Sequence, residues 1–534
     1  MPTTADGAGL DHLPEWWPFE VDVTAIAAFD LPKSGLSRPR VRSSCRMKGK
    51  RMTHPESDKA SRRSKSADLT SRLDRLPAMA PHVIWISILA ANLALEFYDN
   101  ALFAYITPAI QEHAGLTLAQ IGAVTTAFFV GMIVGGLVGG RIADRFGRRS
   151  VIAWSTALYS LGALATALSA NFEVMVLARV VTGIGAAAAT SVLLVYVAEM
   201  FPSKTRGRFV SILNFGFVVI APVIALLVLL AIPHGGPDTW RHLFLIGSCA
   251  LVIAPLVRFA MPESVRWHLS RGQLDAAEKI VEKLEARALR RGPLPEPSVI
   301  AGETRRPSLR EVFGNKRMIG ILLVVSVGFF GSTLGYYLFQ NWALYSLVYG
   351  LNYPETDAYW IQLVWNVVYC VTPFIALLFM DRIERKTVIF ATSVITAVPL
   401  VLLGVSPSSW VVIASGGAAA IVTGLVVIAF YTYIPETMPT EVRGLGSGIV
   451  LSVGRVGGAA SGFLGAAFFA SWGMGGVMVA AAVAYVVSSV LVVLFGPRTA
   501  KRPLEGVAAE ELGTATYPRT AAAAGKAPMR ETNE

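Results

Sequence analysis

Six ionisable residues interrupt stretches of this chain that are otherwise apolar: Glu96, Asp99, Arg179, Glu199, Glu436 and Arg455. Charge is costly in hydrocarbon, so each is a candidate for function. Asp99, Arg179 and Glu96 have the chemistry of proton coupling, an acid that takes up and releases a proton beside a fixed cation. Arg455 lies in "LSVGRVGGAASG", where small neighbours leave room around the guanidinium. A buried guanidinium is a two-pronged clamp for a carboxylate, or else a structural partner for a neighbouring helix. Tyr336, Gln340, Asn341, Trp342, Trp365, Asn366, Tyr369 and Asn214 can complete a substrate cavity, although each alone is equally explained by helix packing. Glu199 and Glu436 stand beside basic loops, where a structural ion pair is the better account.

A second cluster is "GGRIADRFGRRS" at 139–150, which packs Arg141, Asp144, Arg145, Arg148 and Arg149 between two greasy segments. The elements that position all these residues follow from composition. Of 534 residues, 54% are hydrophobic and 16% charged, and mean hydropathy is +0.54. Soluble domains carry about 25% charged residues. Twelve stretches approach the ~20 apolar residues that span a bilayer: roughly 82–107, 118–140, 151–169, 173–197, 209–232, 241–260, 318–347, 359–380, 387–405, 410–434, 445–470 and 475–496. Lipid cannot satisfy a backbone amide, so these are expected to be helices. The loops after spans 2, 4, 8 and 10 hold Arg141 to Arg149, Lys204 to Arg208, Arg382 to Lys386 and Arg443, whereas the opposite loops hold only Arg241. Positive loops stay inside, so both termini are expected in the cytoplasm.

Depth then brings two charges together. Span 1 runs outward to about Thr107 and span 4 returns from about Asn171, which puts Asp99 and Arg179 each ~12 Å below the outer face. A static ion pair holding the two helices together is the alternative to a coupling pair. Glu96, three residues before Asp99, can share or replace its role.

The chain also repeats itself. "AEMFPSKTRGR" (198–208) returns as "PETMPTEVRGL" (435–445), and "ADRFGRR" (143–149) as "MDRIERK" (380–386). Glu199 and Glu436, and Asp144 and Asp381, are both 237 positions apart. The expected organisation is a disordered basic arm (1–80), a six-helix half (81–260), a connector with short amphipathic helices (261–317), a second half (318–496) and a disordered tail (497–534). In the connector, Leu274, Ala277, Ile280, Val281, Leu284 and Ala288 recur at helical spacing. No leader-type apolar core opens the chain, and "MTHPESDKASRRSK" at Met52 makes a plausible alternative start.

These residues resemble the major facilitator superfamily. "GGRIADRFGRR" matches the hairpin signature between its second and third helices. "RVVTGIG" (179–185) resembles its helix-4 motif, and "PESVRWHLSRGQLDAAEKI" (262–280) resembles the segment after helix 6 in the sugar-porter-like branch. "ANLALEFYDNALFAYITPAI" (91–110) resembles the first helix of metabolite:proton and aromatic-acid:proton symporters. The second hairpin departs from the pattern, with Glu384 where Gly is usual. The resemblance implies an all-α membrane protein of twelve transmembrane helices in two pseudo-symmetric six-helix halves. It also implies a gating latch that holds the outward-facing state. Its candidates are Gly140, Asp144, Arg145, Gly147, Arg148, Arg149, Glu199, Arg206, Asp381, Arg382, Glu436 and Arg443; the bland alternative is that the arginines only fix topology. It further implies that Asp99 pairs with Arg179 for proton coupling.

The function these features favour is secondary transport of a small organic metabolite, a carboxylate, by proton-coupled symport through alternating access. The alternatives are a sugar or polyol symporter, a drug efflux antiporter, or a non-transporting sensor. No enzyme constellation or metal spacing is apparent, and Cys45, Cys249 and Cys370 are far apart. The expected partners are the small-molecule substrate, protons and the lipid bilayer, with no nucleic acid, no cofactor beyond the proton gradient, and no metal. The expected form is a monomer in the cell inner (cytoplasmic) membrane. The net charge of +11 is accounted for by inside loops and the basic arm.

Overall fold

The computed structural model describes residues 55–297, 315–380, 382–406, 408–438 and 443–499, and every regular element among them is helical. Ahead of the first span lies α1 (Pro55–Asp74). The first half comprises α2 (Ala80–Tyr105), the short α3 (Thr107–Ala114), α4 (Leu118–Phe146), α5 (Arg148–Ala167), α6 (Phe172–Met200), α7 (Ser203–Ala231), α8 (Thr239–Ser248) and α9 (Ile253–Ala260). The connector forms α10 (Val265–Ser270) and α11 (Leu274–Leu289). The second half comprises α12 (Lys316–Gly350), α13 (Glu355–Tyr369), α14 (Thr372–Phe379), α15 (Arg385–Val405), α16 (Ser409–Glu436) and α17 (Arg443–Phe495).

Eleven helical stretches among the described residues are long and apolar enough to cross a membrane. The eleventh, α17, supplies two crossings, because Gly473 breaks it at φ 61 and ψ −156. That conformation is open only to glycine. Two other crossings are assembled from shorter pieces. A 3-10 turn at Cys249–Val252 joins α8 to α9. Pro373 at the start of α14 removes an amide donor and interrupts the crossing that begins as α13. Side chains also set the starts: Thr117 and Asn171 accept from the amides of Gln120 and Val174 at the heads of α4 and α6.

The halves meet along a seam in which α4 lies on α17. Gly122 and Gly462 face each other so closely that a Cβ on either would meet the other's carbonyl oxygen at 2.6 Å. Next along the seam, Thr126 Oγ1 donates to Ala459 O at 2.9 Å. Tyr105 OH donates to Asn366 Oδ1 at 3.0 Å, joining α2 to α13. All of these lie toward the ends away from the basic hairpins. On the basic side, Gly140, Gly207, Gly444 and Gly448 face open space, and the Asp144 side chain is 72% exposed. The buried cluster that unites the halves draws its first-half residues from the side away from the basic loops. The cluster at the basic end contains first-half, α1 and connector residues only. The structure is therefore shut on one side and open on the basic side.

One expectation is corrected. Residues 55–74, inside the arm expected to be disordered, form α1. Leu69, Leu73 and Leu76 are buried in one cluster with Ala277, Val281, Leu284 and Ala288 of α11. Lys65 Nζ pairs with Glu278 at 2.9 Å, and Arg72 and Arg75 both pair with Glu285. Three leucines at helical spacing thus find an apolar groove some two hundred positions away. Residues 1–54, connector residues 298–314 and the tail from 500 lie outside the described residues.

Candidate functional site

The deepest charge pair joins α2 to α6. Arg179 Nη1 donates to Asp99 Oδ2 at 2.6 Å, and the two side chains are 2% and 1% exposed. The guanidinium lies over the Phe128 ring at 4.4 Å, with Phe103 and Phe244 at 5.5 and 5.8 Å. Asp99 Oδ1 and Arg179 Nε have no hydrogen-bond partner among the described residues. The pair is sealed by aromatic rings on the closed side. A buried ion pair of this kind resists separation, because either charge alone would be stranded without water.

Glu96, one turn nearer the basic side, is not part of that pair. Its Oε2 accepts from Thr190 Oγ1 at 3.3 Å, and it stands in electrostatic reach of Arg455 in the opposite half. Arg455 projects from α17 onto α4, where a Cβ at Gly136 would collide with its Nη1. It makes no hydrogen bond or ion pair among the described residues. Phe129 and Tyr337 meet edge to face beside it at 4.5 Å, and Phe129 is seated on Gly458. Tyr431, also in electrostatic reach of Arg455, is 57% exposed and lines the open side.

The other expected cavity residues divide. Gln340 Nε2 donates to Tyr336 OH at 3.4 Å, and Tyr369 stands within hydrogen-bonding reach of the same hydroxyl. Asn341 Nδ2 donates to Ser461 Oγ at 3.4 Å, and Asn214 is exposed on α7. Trp342 and Trp365 are elsewhere. Each is 1% exposed, seated on Gly465 and Gly416 respectively, and donates its indole N–H to a backbone carbonyl, Ser461 O and Ile413 O. They are packing residues because glycines opposite them open indole-sized slots. Asn366 is also buried, tied to Tyr105 across the closed side and to Gln362 O.

At the basic end, Arg148 bridges Asp144 (2.9 Å) and Glu199 (3.1 Å), and Ser264 Oγ donates to Glu199 at 2.5 Å. The same pairing recurs in the second half, where Arg385 Nε meets Glu436 at 3.3 Å. Both pairs close a loop of 51 positions, as the internal repeat requires. Among the described residues the Asp144 carboxylate pairs only with Arg148 of its own hairpin, while its backbone carbonyl accepts from Trp267 Nε1 of α10 at 3.0 Å. Arg206 Nη2 donates to Phe201 O, and Arg443 Nε to Pro435 O. Arg145 carries Arg271 on its carbonyl, while Arg149 Nη1 donates to Met261 O. Arg382 is exposed, Gly140 faces open space, and Asp381 lies outside the described residues.

Residues 76–510 match the family model described as "Sugar (and other) transporter". The chain belongs to that family. The niacin transporter NiaP of Acinetobacter baylyi is 26% identical over 74% of this chain and 89% of its own length. A gallate transporter of Pseudomonas putida is 28% identical over 76% of this chain and 90% of its own. Among solved structures, the xylose transporter XylE of E. coli in its inward-open conformation superposes with a TM-score of 0.63, at 18% identity, over 80% of this chain and 98% of its own. This transporter therefore has the major facilitator fold. It is a multi-pass membrane carrier of small metabolites and not an enzyme.

Two carboxylates at the basic end lie outside the expected site residues. Glu263 Oε1 accepts from the amides of Arg149 and Ser264, both at 3.0 Å, and sits where a Cβ at Gly147 would be. With φ +98, Gly147 is both left-handed and in contact, so it has two reasons to be glycine. Glu384, at the position 237 residues beyond Gly147, accepts from the amide of Thr499 at 2.8 Å. The Glu263 signal was present in the "PES" run; that of Glu384 was visible only as a departure from pattern.

Proposed function

We propose that the protein takes up a small carboxylated metabolite by proton-coupled symport. Arg455 anchors the carboxylate, and the acids Glu96 and Asp99 with Arg179 serve the proton. The observation that supports this best is Arg455 itself, a guanidinium at the seam with no ion pair among the described residues and aromatic rings beside it. The carboxylates named for the niacin and gallate transporters agree with such an anchor. Tyr336, Gln340, Asn341, Tyr369 and Asn214 complete the cavity in this reading.

Alternating access then works on the seam. With the basic loops on the cytoplasmic face of the inner membrane, the conformation described is open inward. Closing that side brings the two hairpins together, and the exposed Asp144 carboxylate, paired with Arg148 of its own hairpin, is the group that engages the opposite half. A single chain holds the whole path, so the functional unit is a monomer driven by the proton gradient without a cofactor.

A thermal-shift screen of the purified protein against aromatic acids, aliphatic acids, sugars and polyols tests the anchor, followed by uptake of the stabilising compound into proteoliposomes. Acids are expected to stabilise and to be accumulated. Stabilisation by sugars alone overturns the carboxylate reading. The Gln340–Tyr336 and Asn341–Ser461 contacts give that sugar reading its own footing, since amides and hydroxyls bind sugar hydroxyls. An acid that binds but is never moved would mark a sensor.

A further inference from the structure

Asp99 and Glu96 are acids of one helix with different company. Asp99 is held by Arg179 in an aromatic enclosure on the closed side. Glu96 has one long hydrogen bond, from Thr190, and the positive charge in its reach is Arg455 across the seam. Arg455 is also the group that a substrate carboxylate needs. One guanidinium stands before two claimants.

We infer that the substrate carboxylate displaces Glu96 from the field of Arg455, so that loading the site obliges Glu96 to take up a proton, and that Glu96 rather than Asp99 is the group linking substrate to proton. This rests on Arg455 being the carboxylate anchor. In the empty site Arg455 is the cation in electrostatic reach of Glu96 among the described residues. A bound carboxylate leaves two negative charges facing one positive charge between Phe129, Tyr337 and Tyr431. Two carboxylates in one such site cannot both stay ionised. The substrate keeps the bidentate contact with the guanidinium, and the proton goes to Glu96, reached from the open side past the exposed Tyr431. When substrate leaves, Arg455 again favours the Glu96 anion and the proton departs. The loaded carrier therefore moves one anion with one proton and no net charge.

The neighbours permit this. The titratable groups in electrostatic reach of Glu96 among the described residues are Arg455 from α17, Asp99 on its own helix, Tyr159 from α5, Tyr337 from α12 and Tyr431 from α16. Arg179 of α6 is engaged by Asp99, Tyr159 is engaged by Asn92 at 2.8 Å, and α6 otherwise offers Glu96 only the Thr190 hydroxyl. No second cation among the described residues competes for Glu96.

The test is proton uptake on binding, read with an indicator dye in weakly buffered detergent solution, with benzoate, nicotinate and 4-hydroxybenzoate as probes. Where Glu96 is ionised in the empty carrier, wild type is expected to take up about one proton per probe bound and its affinity to fall about tenfold per pH unit. Glu96→Gln, which keeps a partner for Thr190, should bind the probe with no proton uptake and with an affinity flat from about pH 5 to pH 8. Glu96→Asp should restore the uptake. Uptake that persists in Glu96→Gln overturns the inference, as does binding to wild type with no proton uptake and no pH dependence. A wild type that binds none of the three acids but does bind a sugar overturns the anchor itself, so the two failures are distinguishable.

Discussion

Arg72 holds Glu285 with two arms of its guanidinium, Nε at 3.2 Å from Oε1 and Nη2 at 2.5 Å from Oε2, across 213 positions of chain. Arg75 adds a third hydrogen bond to the same carboxylate. Burial alone would raise the pKa of Glu285, but the hydrogen bonds from Arg72 and Arg75 outweigh it and hold the carboxyl below its usual value. A lowered folded pKa contributes stability above the ordinary carboxylate range, and that contribution is lost as pH falls through the lowered value. Glu285→Ala should therefore release α1. Hydrogen bonds to a charged partner contribute about 1.5–3 kcal/mol, so amide exchange across residues 64–74 should quicken about tenfold or more. The wild type should show the same release in acid. Unchanged exchange in the variant would mean that the three leucines alone hold the helix.

Gly136→Ala should damage binding without damaging the fold. The added Cβ meets only the tip of Arg455, a flexible side chain that can swing away, rather than backbone. Expression and thermal stability should stay near wild type while affinity for a carboxylate falls about tenfold, the cost of losing one good arm of a bidentate contact. Gly320→Ala, on α12 and facing open space, is the matched control.

Replacing Asp99 by Asn strands Arg179 in a closed, aromatic enclosure. Breaking a buried pair this way costs about 3–5 kcal/mol, and the loss should appear as a lower unfolding temperature in detergent. Replacing both partners, Asp99→Asn with Arg179→Gln, should be milder than the single change. If Asp99→Asn instead keeps its stability but loses pH-driven uptake, the coupling acid is Asp99.

The Asp144 side chain is exposed and pairs only with Arg148 among the described residues, so Asp144→Asn should shift thermal stability by no more than about 0.5 kcal/mol. Its effect belongs to the conformation with the basic side closed. Exchange of substrate across proteoliposomes should slow severely, and wild-type exchange rates would refute the latch.

Much of this architecture was legible because lipid leaves the backbone so few choices. The apolar runs located the crossings, the basic hairpins set them in register, and a 237-residue repeat marked the halves. Counting 1.5 Å per residue was enough to set Asp99 opposite Arg179, since the two helices run in opposite directions from loops of opposite charge. What the sequence did not reveal depends on rotation and on distant partners. Trp342 and Trp365 looked like cavity walls until the glycines facing them were known. Glu96 and Asp99, nearly on one helix face, are separated by which neighbour each meets. The arm around Leu69 and Leu73 reads as polar until α11 supplies its groove.

At the base of each half, the start of the third or ninth crossing is tied to the chain that follows the sixth or twelfth. Arg149 and Lys386 both donate from the hairpin to carbonyls of that chain, but the carboxylate ties have opposite polarity. In the first half the hairpin donates through the Arg149 amide and the later segment accepts through Glu263; in the second the hairpin accepts through Glu384 and the later segment donates through Thr499. The hairpins are therefore not interchangeable parts. Grafting "MDRIERK" in place of "ADRFGRR" would set a glutamate where Gly147 stands and drive it into Glu263, two anions in the space of one. The reverse graft would leave Thr499 facing a glycine. Each half has its own lock and key, and duplication of either one would not regenerate the other.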